Sequence, residues 1–177
     1  MIAACAIALA AVTQAATAKW TASNVYEMGT TTKVAAYYAY FIQTADYAYA
    51  DAVTALSKAD TSFLSNATEG ANGVGKAAGV YNISGWGSFG NEETIEGYVV
   101  FINAGTLADA TYAYITSTAS SKTGKTGQAA SLAFGSQAGM ATDSNWYALG
   151  SAPVPEPTSG LLMLIGLGAM ALRRRRA

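Results

Sequence analysis

Residues 34–43, "VAAYYAYFIQ", place apolar side chains on both alternating sets: Val34, Ala36, Tyr38, Tyr40 and Ile42 against Ala35, Tyr37, Ala39 and Phe41. A strand written this way is expected to be covered on both faces. Sixty residues later "YVVFIN" (98–103) repeats the pattern of "YAYFIQ" (38–43), as a faint internal repeat or as two similar core strands. Between them the period changes from two to 3.6. Tyr49, Ala52, Val53 and Leu56 fall on one face of a short helix over 46–58, with Asp46 as its cap and Lys58 at its C-terminal end. Residues 65–79 are small, polar and glycine-rich, as in a loop. Further strands are expected at 80–84, 94–103, 111–118, 129–134 and 146–149, each bounded by Gly, Ser, Asn or Thr. The pattern predicts a mainly β domain over 19–150: an antiparallel β-sandwich-like body with one short helix, followed by a linker.

The two ends follow different rules. Residues 1–18, "MIAACAIALAAVTQAATA", are apolar through Val12 and then turn small and polar, as an N-terminal signal helix does. Ala16-Thr17-Ala18 presents small residues at the spacing signal peptidase requires, which predicts a mature start at Lys19; a cut after Ala15 is the alternative. No basic residue precedes the apolar run, which points to a start a few residues upstream. At the other end, residues 151–177 hold Pro155, Glu156 and Pro157, then an apolar run predicted as a transmembrane helix over about 158–172. Its uninterrupted stretch of 13 residues, 160–172, spans only roughly 20 Å as a helix. The flanking residues bring it near the need of a thin bilayer. Arg173, Arg174, Arg175 and Arg176 then lock that end on the cytoplasmic side. The two prolines keep the segment outside the membrane extended and accessible to a protease.

That order of parts resembles the PEP-CTERM sorting signal: Pro155-Glu156-Pro157, a membrane helix, a basic cluster at the extreme C-terminus. The same tail is also labelled an ice-binding protein C-terminal region. The resemblance implies recognition by exosortase, a membrane-embedded transpeptidase relative of Gram-negative bacteria that make exopolysaccharide. It implies export across the inner membrane, a transient anchor there, and delivery to the cell surface or extracellular matrix. Signal peptidase and exosortase are the partners it implies, with exopolysaccharide as a candidate ligand.

Charge and residue usage narrow the body's chemistry. The chain is 51% hydrophobic and 12% charged, against a usual charged share of about 25%. The body carries six lysines and ten acids, a net of −4, which argues against nucleic acid. There is no histidine, the commonest general base and metal ligand, and Cys5 is the one cysteine. No metal or cofactor is therefore expected. "GWGSFG" (85–90) matches a dinucleotide fingerprint in letters, but a strand-like segment follows where a helix must begin, so it reads as a hairpin or exposed turn. "GANGVGKA" (70–77) lacks the final Ser or Thr of a phosphate loop. The Thr-rich pieces do not recur at the fixed period an ice-binding array needs.

Three expectations for the body remain. The first is a non-catalytic surface or matrix protein. The second is a carbohydrate-binding module with Trp86 and Trp146 as stacking platforms. The third is a hydrolase using Glu92 or Glu93, which would require a pocket joining two carboxylates. Exposure of the two tryptophans separates the first two.

Overall fold

The computed structural model describes residues 16–150, apart from 35, 90–91, 117–118, 126–127 and 143–144. Nine strands make two sheets. β1 (Ala16–Ser23), β4 (Tyr81–Phe89) and β8 (Ala130–Ser136) form one, in the order β4-β1-β8. The other runs β3 (Gly73–Val74), β2 (Tyr38–Gln43), β5 (Thr94–Ile102), β6 (Tyr112–Ile115), β9 (Trp146–Ala148), and β7 (Ser120–Thr123) joins it by pairing with β5. Among the described residues the single α-helix, α1, spans Tyr49–Ser57.

The doubly apolar strands sit at the centre, as their pattern predicts. β2 and β5 are antiparallel neighbours from Tyr38–Ile102 to Gln43–Gly97, so the apparent sequence repeat is two adjacent core strands. Their side chains divide by parity. Ala39, Phe41, Val99 and Phe101 face the three-stranded sheet, together with Tyr114 of β6. Ile42, Tyr98, Val100 and Ile102 face α1, together with Ala113 and Ile115. Tyr98 through Ile102 are all buried, because β5 is covered on both faces. The body is therefore three layers deep: sheet, sheet, helix.

The strand boundaries differ from the pattern in instructive places. Val34 is buried but precedes the strand, and among the described residues of 111–118 only Tyr112–Ile115 are strand. The helix starts at Tyr49, where the apolar spacing begins, three residues into the expected span of 46–58. Asp46 does not cap it: the N-cap is Ala48, and the Asp46 N–H donates to the Gln43 carbonyl in the preceding turn. Ala52, Ala55 and Leu56 are its buried residues, with Tyr49 and Val53 packed at the margin. At its C-terminal end the Ala59 N–H reaches the Leu56 carbonyl and the Asp60 N–H reaches Ala55. These are the two bonds of a Schellman cap, with Ala59 at φ +58° where glycine is usual.

The three-stranded sheet departs most from expectation. β1 pairs antiparallel with β4 but parallel with β8, so the body is not purely antiparallel. A parallel pair needs a long crossover, and everything between Ser23 and Ala130 supplies it. The "GWGSFG" glycines are not a hairpin or an exposed turn; Gly85 and Gly87 lie inside β4 at φ +84° and +65°. Beside them the pairing with β1 shifts register: Ala18 opposes Trp86 while Lys19 opposes Ser84, leaving Gly85 as the extra residue of a bulge. Simple alternation from Tyr81 and Ile83 would aim Gly85 and Gly87 at the core. The first shift brings Trp86 there instead, and the second returns Phe89 to the same side.

Candidate functional site

Trp20 joins the two sheets. It is fully buried on β1, its Nε1 donates to the Ala71 carbonyl at 2.7 Å, and its ring stacks on Tyr81 at 5.9 Å. It also meets Phe101 edge-on. The other two tryptophans bear on glycan stacking. Trp86 does not serve as a platform: it is 2% exposed, packed on Phe41 at 4.7 Å and Phe89 at 5.8 Å. The bulges around it turn the ring inward, which a letter pattern of glycines around an aromatic does not reveal. Its Nε1 is buried without a hydrogen-bond partner. Trp146 on β9 is partly buried against Tyr37 and Tyr114, and its Nε1 donates to the Met140 carbonyl at 3.0 Å. Its polar tip is committed within the protein.

The carboxylates are spread out. Glu92 and Glu93 are exposed in the turn before β5, where their backbone groups exchange hydrogen bonds with Gly124, and Glu96 is exposed near the start of β5. Asp109 accepts from the Thr106 hydroxyl at 2.6 Å. Two other carboxylates do share a concavity. Asp51 and Asp60 line a hollow of about 190 Å³ at the foot of α1, with Tyr47, Thr54, Ala55 and Lys58. The Ser62 side chain and backbone N–H, the latter at 2.9 Å, hold the Asp60 carboxyl below the usual carboxylate range. A glycosidase needs one carboxyl raised so that it can act as an acid. Asp60 is shifted in the opposite direction.

In a chain without histidine, phenols are the next proton-transfer groups to consider. Burial pushes the Tyr81 and Tyr98 phenols well above their ordinary value, reinforced by neighbouring Tyr37 and Tyr47 respectively. Each donates to a backbone carbonyl: Tyr81 to Tyr37 at 2.7 Å, Tyr98 to Tyr47 at 3.1 Å. They stay neutral at physiological pH and tie loops to the sheet.

A larger cleft, of about 400 Å³, lies along β7 and the turn toward β8. Ser121, Lys122, Thr123, Lys125, Gln128 and Ala129 line it. Two ammonium groups among hydroxyls and an amide suit an oxygen-rich anion. The sequence flags these residues only as a Thr- and Lys-containing loop. The topology makes the cleft by placing β7 beside β5 and folding the chain back through the Lys125–Gln128 bridge.

Ala16 and Ala18 fall within β1, Ala18 fully buried. Pro155, Glu156, Pro157, the apolar segment and Arg173 to Arg176 lie outside the described residues, as do residues 1–15 of the expected leader. Among the described residues no helix is long and apolar enough to cross a membrane.

The family model for the PEP-CTERM protein-sorting motif matches residues 153–177. That match implies export and processing by exosortase, as in Gram-negative bacteria. The body matches no recognised family. No curated protein and no solved structure gives a significant match to the chain.

Proposed function

We propose that this chain is a non-catalytic structural protein of the cell surface or extracellular matrix, exported with a leader and released from a transient membrane anchor by exosortase. The observation that carries the reading is the sorting motif at residues 153–177. The body supports it by its chemistry: the carboxylates at Glu92, Glu93 and Glu96 are exposed, and Asp60 is held ionised. Mass spectrometry of surface-extracted protein tests the sorting step. Mature molecules should end within or close to Pro155-Glu156-Pro157, and Glu156→Ala should leave full-length chain in the inner membrane. Intact surface molecules ending in Ala177 would make the tail a simple anchor.

The β7–β8 cleft favours a second reading, a module that binds acidic exopolysaccharide. Lys122 and Lys125 would pair with sugar carboxylates, while Ser121, Thr123 and Gln128 would meet hydroxyls. Retention on an acidic polysaccharide gel but not on a neutral one, lost in Lys122→Glu/Lys125→Glu, would support it. Equal retention of variant and parent would remove it.

A further inference from the structure

We infer that signal peptidase cuts this chain between Ala15 and Ala16, so that the mature body begins at Ala16 and keeps the whole of β1. The inference rests on the export reading and adds to it the point of processing. Residues Ala16-Thr17-Ala18 satisfy the small-x-small rule, but so, with Thr at the first position, do Thr13-Gln14-Ala15. Export precedes folding, so both bonds are open to the peptidase. What separates them is the body each cut leaves.

A cut after Ala18 removes three residues of an eight-residue strand. Ala18 opposes Trp86 on β4 and Ala130 on β8, and its side chain is fully buried between them in the core. Ala16 opposes Phe89. Their removal would leave the Trp86–Phe89 end of β4 without its partner strand, although the two glycine bulges exist to aim those rings inward. The new terminus would also place the Lys19 α-ammonium in the middle strand of the sheet, where charge is costly to desolvate. A cut after Ala15 avoids all of this. Water adds across the Ala15–Ala16 amide, Ala15 leaves with the carboxylate, and the Ala16 amine takes its proton at the outer end of β1.

The test is N-terminal sequencing and intact mass of the full chain, expressed with its own leader in a Gram-negative host and recovered after export. A mature start at Ala16 supports the inference, and a start at Lys19 or any other residue overturns it. Chain that stays in the cytoplasm with residues 1–15 intact overturns the export reading itself, a separate failure. Ala15→Phe supplies the second arm, because it alters the proposed site and leaves β1 intact. Processing should fall at least tenfold, and unimpaired processing after Ala18 in this variant overturns the inference.

Discussion

The two sheets are built by different rules, although they share one core. The six-stranded sheet is regular: β2, β5 and β6 pair antiparallel with unbroken two-residue alternation, although β3 and β4 lie between β2 and β5 in the chain. The three-stranded sheet is assembled from the two ends and the middle of the body. Its central strand pairs parallel with one neighbour and through bulges with the other. The first sheet presents an aliphatic face to the helix and an aromatic face to its partner sheet; the second contributes Trp20, Tyr81, Trp86 and Phe89 to that aromatic face. The difference teaches that regular alternation marks strands paired in unbroken register. Strands whose pairing is bulged or parallel can carry their packing information in glycines and in segments that resemble something else.

The sharpest way to break the comparison is to strike the residue both sheets need. Phe101 is fully buried on β5 against Trp20 and Tyr81. Phe101→Asp removes the ring and buries a carboxylate, together several kcal/mol or more, a large part of the roughly 5–15 kcal/mol a domain has. No cooperative melt should remain in circular dichroism. Tyr40→Asp on β2 is the control: Tyr40 is only partly buried at the margin of the helix-side core, so a folded, weakened protein is expected. Equal collapse of both would mean that the two faces of the sheet are not separable.

A smaller effect should be confined to the three-stranded sheet. At Gly87 a Cβ would meet the Phe89 ring at 2.5 Å, and φ of +65° disfavours any β-branched residue. Gly87→Val should cost about 3 kcal/mol. Hydrogen exchange should show the loss first in β4 and β1, with β2 and β5 protected until global unfolding. Uniform loss of protection would show that the sheets fold and open as one unit.

The smallest change should be a gain, and on the helix layer. Ala59 occupies the left-handed position of the Schellman cap. Ala59→Gly relieves that strain and should stabilise the body by about 0.5–1 kcal/mol, raising the melting temperature by a few degrees. An unchanged or lowered midpoint would mean that the cap tolerates alanine without strain.

What the sequence determined by itself is whatever depends on neighbours along the chain. The double-faced apolar alternation at 38–43 and 98–102 marked the central strands, because a strand buried on both sides cannot be written otherwise. The helix face followed from its 3.6 period, though not its start, since Asp46 was drawn into the preceding turn. The tail's order of prolines, apolar run and arginines was legible because sorting machinery reads extended chain, and the family match covers that same stretch. Tertiary structure alone decided the rest. Ala16 to Ala18 read as the end of a leader, and residues 19–23 as no element, until β4 and β8 close on either side of them. Trp86 reads as an exposed aromatic until two positive-φ glycines turn it inward. The β7–β8 cleft exists only because the chain folds Lys122 and Lys125 back around one hollow. For β1 and for Trp86 the deciding pairing joins residues far apart in the chain, and local periodicity carries no record of it.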